Sequence, residues 1–274
     1  MQQRTLAFIG AGNMSRSIIA GLIQAGYPAE RIIAANPSRP KLDELASQFG
    51  IRITQDNTEA AREAEVIVLA VKPQLMAGML TTLVAELGSL DGKLLISIAA
   101  GIRVARLQEM AGGHERIIRT MPNTPSLLGL GMTGLYAQPA IGQADRAVAE
   151  QMMQSVGKTL WVDEEAGING VIAAAGSAPA YFFLFMQAIA EEAEAMGFTP
   201  EQARLLVQQT ALGAAAMVEQ NPDLSLQTLR EQVTSKGGTT AEAVKTFQEQ
   251  GLMPLTARAM QAAVTRAGEM ETLF

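Results

Sequence analysis

Apolar positions over the first 160 or so residues gather into short continuous runs, with longer stretches of helical periodicity between them. The runs at 5–9, 31–35, 66–70, 94–98 and 117–119 read as strands. Segments such as 14–25 and 41–48 repeat their apolar residues at helical spacing. Strands that are apolar on both faces and separated by helices predict a parallel sheet covered on both sides. Two more β-like runs, 132–136 and 159–162, extend its edge. After Asp163 the texture changes. Ala, Leu, Met and Glu dominate at helical spacing, and stops are legible at Gly197, Asn221–Pro222, Gly237–Gly238 and Gly251. The pattern predicts a doubly wound α/β domain over 1–163, followed by an all-helical domain over 164–274.

One predicted helix stands apart. Tyr181-Phe-Phe-Leu-Phe-Met186 is apolar on every face, so it is either a core helix of its own domain or part of a subunit interface. The apolar run 181–190 falls short of the about 18 residues of a membrane span, and Glu191, Glu192 and Glu194 follow it. A net charge of -6 without clustered Lys or Arg argues against a nucleic-acid partner. The chain has no cysteine, which excludes disulfides, thiolate metal sites and cysteine nucleophiles. Its single histidine, His114, cannot form a multi-histidine metal centre and reads as a surface turn residue. Met1 leads straight into a strand, with no signal-peptide pattern, and a cytoplasmic protein is expected.

Candidate chemistry begins at Ile9-Gly10-Ala11-Gly12-Asn13-Met14-Ser15. A strand, a tight glycine turn and a helix N-terminus aim backbone N–H groups and the positive helix end at a pyrophosphate. Gly10 permits the turn and Gly12 the close approach, while Ser15 stands where Gly or Ala is usual. This makes the first domain Rossmann-type. The second strand runs into Asn36-Pro37-Ser38-Arg39, with no carboxylate to hold a ribose 2′-hydroxyl. Asn36 and Ser38 are hydrogen-bonding groups, and Arg39 offers a charged fork for a 2′-phosphate or is a solvated surface residue. NADPH is expected, with NADH the weaker alternative. Ala70-Val71-Lys72-Pro73 leaves the strand at 66–70, and ligands of open parallel sheets lie beyond such carboxyl ends. Lys72 either shapes that loop or acts as an acid. Ala99, Ala100, Pro122, Asn123 and Asn57 complete the candidate cofactor contacts.

Near the C-terminus, Thr234-Ser235-Lys236-Gly237-Gly238-Thr239-Thr240 precedes a helix. Thr239 and Glu242 fit a reciprocal capping box, with Thr239 as N-cap. Two glycines before a helix N-terminus expose consecutive N–H donors suited to a carboxylate. An ordinary glycine-rich turn between helices has the same spacing.

Together these segments resemble pyrroline-5-carboxylate reductase over the whole chain: GAGNM, AVKP, AAG, MPNTP, GSAPAY at 176–181 and TSKGGTT at 234–240. The last motif is the specific one, and Lys236 stands where many family members have Pro. The resemblance implies NADPH-dependent reduction of Δ1-pyrroline-5-carboxylate to L-proline by hydride transfer to a cyclic imine. It implies that Ser235, Gly237, Gly238, Thr239 and Thr240 hold the substrate, with Thr240 bonding the ring nitrogen and Ser177 and Glu165 on the pocket wall. It also implies dimers or multiples of dimers.

Reduction of a carbonyl would need a strong general acid, and the run Gly176–Leu184 contains no Lys. An imine arrives protonated or takes its proton from water, so its reduction needs mainly orientation and a hydroxyl partner. Two alternatives remain. A β-hydroxyacid-type NADP-dependent dehydrogenase would have to use Lys236 or Lys245, and a non-catalytic NADPH-binding sensor would have no use for the GGTT loop.

Overall fold

The protein is described by a computed structural model over residues 4–273. The strands are β1 (Leu6–Ile9), β2 (Ile32–Ala35), β3 (Arg52–Thr54), β4 (Val66–Leu69), β5 (Leu94–Ser97), β6 (Ile117–Met121), β7 (Gly131–Ala137) and β8 (Gly157–Trp161). Between and after them run α1 (Asn13–Gln24), α2 (Arg39–Phe49), α3 (Asn57–Glu63), α4 (Pro73–Leu87), α5 (Val104–Met110), α6 (Gln143–Gln154) and α7 (Gly167–Val171). Then come α8 (Ala178–Ala195), α9 (Pro200–Gln220), α10 (Leu226–Gln232), α11 (Thr239–Glu249) and α12 (Leu252–Met270).

The strands form one sheet in the order β3-β2-β1-β4-β5-β6-β7-β8. β1 to β6 are parallel, β7 runs antiparallel to β6, and β8 pairs parallel with β7. Alternate residues of one strand enter different cores. Leu6 and Phe8 join Ile18, Leu22, Leu42 and Met152 on one face, while Ala7 and Ile9 join Met76, Leu80, Leu83 and Leu107 on the other. Each such large aliphatic side chain contributes about 1.5–3 kcal/mol on burial. That two-sided burial is why the strands read as unbroken apolar runs. β3 escapes the reading because Arg-Ile-Thr is a three-residue, partly exposed edge.

Two compact units result, one from the chain up to Ser177 with the stretch from Ala263 onward, the other Ala178–Ala262. The pattern-based division at 163/164 differs for a physical reason. Gly134 of β7 packs so closely on α7 that an added Cβ would lie 2.8 Å from Val171 Cγ1. Asn123 Nδ2 donates to Ala175 O at 3.0 Å, and Arg119 of β6 pairs with Glu271 just past α12. Residues 164–177 and the chain's end therefore pack with the sheet. A π-helical turn, Ile172–Gly176, joins α7 to α8 through Ser177 N–H donating to Ile172 O at 2.7 Å.

The continuous helical stretch Gly167–Ala195 is long and apolar enough to cross a membrane by length and composition, although the phenylalanine run alone is not. Its alanines and glycines extend the apolar length. Phe182, Phe183 and Leu184 are each about two-thirds exposed, with Leu205, Leu212 and Met217 of α9 also open. Large apolar side chains left open on two helices that pack together mark an interaction site.

Polar ties close the sheet edge at the amino ends of the strands. Asp145 of α6 is buried and accepts Arg116 Nε at 2.7 Å, Arg116 Nη2 at 2.8 Å and Arg4 Nη1 at 2.9 Å. The Arg116 guanidinium, and secondarily Arg4, holds the Asp145 carboxyl below the usual carboxylate range. His114 is half-buried on this same edge, its Nε2 3.0 Å from Lys93 O, and burial holds its imidazole below the ordinary value. The sequence reading of His114 as a surface turn residue therefore changes to a partly buried clamp.

Both depressed values make the folded state bind protons less readily than the unfolded chain. Their stabilisation is complete above the unfolded pKa values, about 6.5 for His and 3.9 for Asp, and is lost as pH falls through the folded ones. Asp145→Asn is expected to destabilise the protein by about 1.5–3 kcal/mol at pH 7, the range for hydrogen bonds to a charged group. Thermal melts of the two proteins should then converge as the pH drops below about 4. A gap that stays constant across that range would contradict the ion-pair assignment.

Candidate active site

β1 runs into Gly10, whose φ of +113° is a conformation L side chains rarely adopt. Gly10 N–H donates to Ala35 O at 2.8 Å, and Ala70 N–H donates to Ile9 O at 2.9 Å, so the turn is tied to strands on both sides. A Cβ at Gly10 would lie 2.5 Å from Ala70 O. At Gly12 the same addition meets nothing within 4 Å, and Gly12 is the N-cap of α1 with no side chain capping the helix. The first-turn N–H groups of such a helix have no intrahelical partner, and the positive helix end favours an anion there. Ser15 in place of Gly or Ala is accounted for: its buried hydroxyl donates to Gly10 O at 2.6 Å and braces the turn.

At the end of β2, Asn36 Oδ1 accepts from Ala11 N–H at 3.3 Å and Nδ2 donates to Ser38 O at 3.2 Å. Asn36 thus links the phosphate turn to the loop that starts α2. Arg39 is the first residue of α2 and is 60% exposed, with Nε donating to Asp43 at 2.7 Å. That contact uses the Nε edge of the guanidinium.

Ala70 and Val71 continue β4, exposed Lys72 is the N-cap of α4, and Pro73 opens that helix. Asn57 is half-buried at the start of α3. Ala99 is buried after β5, with Ser97 Oγ accepting its N–H at 3.3 Å. Pro122 and Asn123 follow β6, and both polar ends of the Asn123 side chain are committed to protein: Nδ2 to Ala175 O, Oδ1 from Met132 N–H at 2.9 Å. All of these loops leave the carboxyl ends of parallel strands, and those after β1 and β4 flank the point where strand order reverses.

Two expected pocket-wall residues lie with the first unit. Ser177 is half-buried at the π-helical turn. Glu165 accepts from Val104 N–H at 2.8 Å and from Arg119 Nη1 at 2.9 Å, so one of its oxygens already serves the protein. Arg119 itself went unnoticed in the sequence. The signal was a lone Arg inside Ile117-Ile118-Arg119-Thr120, a strand otherwise built for burial.

In the second unit, α11 departs from the expected capping box. Its N-cap is Gly238, Thr239 and Thr240 are the first two helical residues, and no side chain caps the helix. A tight turn, Gly238 N–H to Ser235 O at 3.0 Å with Gly237 at φ +73°, shifts the helix start by one residue. A reciprocal box forms instead at Thr199 and Gln202 of α9. Among the described residues neither the Thr239 nor the Thr240 hydroxyl has a protein partner, and both residues are exposed. Two hydroxyls and an uncapped helix N-terminus can together receive a small carboxylate with a neighbouring donor or acceptor. Lys236 is exposed in the same turn, and Lys245 faces Glu249 further along α11.

Residues 165–270 match a family described as pyrroline-5-carboxylate reductase dimerisation, and residues 5–101 one described as NADP oxidoreductase coenzyme F420-dependent. The pyrroline-5-carboxylate reductase of Vibrio alginolyticus is 57% identical over 274 residues, all of both chains. This chain belongs to the pyrroline-5-carboxylate reductase family. A pyrroline-5-carboxylate reductase structure from Coxiella burnetii is 41% identical, covers 98% of this chain and 99% of its own, and superposes with a TM-score of 0.93. One from Plasmodium falciparum with NADP bound is 28% identical over 99% of each chain, with a TM-score of 0.85. The exposed apolar faces of α8 and α9 lie within the dimerisation region of a pyrroline-5-carboxylate reductase. Self-association therefore accounts for the phenylalanine run, and the internal-core reading gives way.

Proposed function

We infer that the protein reduces Δ1-pyrroline-5-carboxylate to L-proline, with NADPH as the preferred reductant. Full-length likeness to pyrroline-5-carboxylate reductases carries the reaction class. The uncapped α11 with its two unpartnered threonines is the structural feature that best supports the substrate assignment. NADPH supplies hydride, two electrons with one proton's mass, to the ring carbon of the C=N bond. The π bond's electron pair moves to nitrogen, which holds or gains a proton from water, and a saturated secondary amine leaves.

The chain's own residues act by holding and orienting. The Gly10–Met14 turn and the α1 N-terminus receive the pyrophosphate. Ala70–Pro73, Ala99, Ala100, Pro122 and the Asn123 backbone line the cofactor's path, with Asn57 beside it. Ser235, Gly237, Gly238 and Thr239 receive the substrate carboxylate, and Thr240 bonds the ring nitrogen, the only side chain assigned direct contact with a reacting atom. Ser177 is assigned to the pocket wall, while Glu165 is better explained by the contacts described above. The protein works as a dimer or a multiple of dimers, and its cysteine-free composition agrees with the cytoplasm.

The deciding assay follows NADPH oxidation by absorbance with pyrroline-5-carboxylate, with a six-membered imine and, in reverse, with 3-hydroxyacids. Turnover confined to hydroxyacids would refute the assignment. Arg39→Ala tests the cofactor preference. Losing a charge-assisted bond worth about 1.5 kcal/mol should lower kcat/KM with NADPH about tenfold and leave the NADH value unchanged. An unaltered ratio would remove Arg39 from the 2′-phosphate site.

A further inference from the structure

Arg119 heads the largest fully buried side chains of the protein, 1% exposed in the middle of the sheet. Its Nη1 donates to Glu165 Oε1 at 2.9 Å and to Glu271 Oε1 at 3.0 Å, while Glu271 Oε2 takes Arg103 Nε at 3.0 Å. Two cations and two anions balance, so the charges are compensated. Burying Arg119 with the two carboxylates is nonetheless a poor way to stabilise a fold, because desolvation offsets the attraction and an apolar side chain would serve β6 as well. What an ion cluster supplies that an apolar contact lacks is fixed geometry.

That geometry converges on one loop. Glu165 Oε1 also accepts Val104 N–H at 2.8 Å, capping α5, whose own N-cap residue Arg103 makes no side-chain cap. At the loop's other end Thr120 Oγ1 donates to Ser97 O at 3.0 Å and Ser97 Oγ accepts from Ala99 N–H. Gly101 rests against the last turn of α12, where an added Cβ would lie 3.2 Å from Met270 Cβ. Residues 97–104 are thus held from β6, from the segment after β8 and from the end of α12. With a pyrophosphate on α1 and the adenine ribose over β2, the other half of a dinucleotide lies over β4 and β5. The gripped loop is the one that leaves β5.

We propose that Glu165, Arg119 and Glu271 are positioning residues that hold the loop at 98–104 in the conformation that aligns the nicotinamide for hydride transfer. This rests on the reductase reading above.

The test uses the full-length protein with Glu165→Ala, Glu165→Gln, Glu271→Gln and the Glu165→Ala/Glu271→Gln double variant. Amide exchange is read first on the NADPH-free protein. Val104 and residues 99–103 should exchange at least tenfold faster in Glu165→Ala, with protection largely restored in Glu165→Gln, which keeps an acceptor for Val104. The enzymatic readout is kcat with pyrroline-5-carboxylate beside the NADPH dissociation constant from fluorescence titration. Glu165→Ala and Glu271→Gln should each lower kcat at least fivefold, with NADPH affinity kept within threefold. The double variant should be about as slow as the slower single variant, not slower by the product of the two losses, since both act through Arg119.

Unchanged loop exchange, kcat within twofold of wild type, or an affinity loss as large as the kcat loss would each overturn the proposal. Failure of the wild type to oxidise NADPH with this imine would instead refute the reaction assignment, and the exchange result would still stand.

Discussion

Gly10→Ala is expected to weaken NADPH binding by at least 100-fold and to lower the melting temperature. Alanine at φ +113° carries roughly 1–3 kcal/mol of backbone strain. Its Cβ would also sit 2.5 Å from Ala70 O, 2.8 Å from Ala70 C and 3.1 Å from Val71 N. These are backbone atoms of a loop anchored by the Ala70 N–H to Ile9 O bond, and no side chain can swing away to relieve the contact. Either the turn after β1 or the loop after β4 must shift, and both are assigned to the cofactor. A loss of about 2.7 kcal/mol corresponds to the expected 100-fold.

Gly12→Ala separates the two effects. Gly12 has an ordinary backbone conformation, φ -83°, and open space where a Cβ would go. Folding should be untouched and NADPH binding weakened, because the methyl group then stands where phosphate oxygens approach the α1 N-terminus. Fluorescence titration with thermal melts distinguishes the patterns. Gly10→Ala binding NADPH within fivefold of wild type would show that the turn does not carry the pyrophosphate.

Much of this architecture was legible because burial on both faces writes itself as unbroken apolar runs. Phe8 and Ile9 enter opposite cores, so neither position tolerates a polar residue. β3 was illegible for the converse reason, since an edge strand with Arg52 facing solvent carries no such pattern. The glycine turn was readable because Gly10 adopts a backbone conformation that L side chains rarely take. The start of α11 was not, since Thr239 and Glu242 satisfy the capping-box spacing, and only the turn closed by Ser235 O decides which residue is N-cap. Local spacing also could not reveal that Asn123 and Glu165 bond across 52 and 61 residues of chain. Contacts at that separation belong to topology, and a single sequence expresses them only as an unexplained polar residue such as Arg119.

Thr240→Ala should lower kcat about 100-fold and leave the NADPH dissociation constant within twofold. The imine nitrogen changes charge and hybridisation as hydride arrives, and a hydroxyl held at the second position of α11 can follow it through the barrier. A hydrogen bond to a charged group contributes about 1.5–3 kcal/mol, which spans the factor of 100. Thr240→Ser keeps the hydroxyl and should restore most of the rate, whereas a merely structural role would give serine and alanine similar activities. Lys236→Met belongs in the same series. Lys236 is exposed in the turn and is, with Lys245, one of the two lysines that a carbonyl-reducing dehydrogenase built on this fold could use as its acid. With an imine that protonates from water, the methionine variant should retain kcat within about threefold of wild type. Loss of turnover at Lys236 with Thr240→Ala near normal would move the proton chemistry to the lysine and favour a carbonyl substrate.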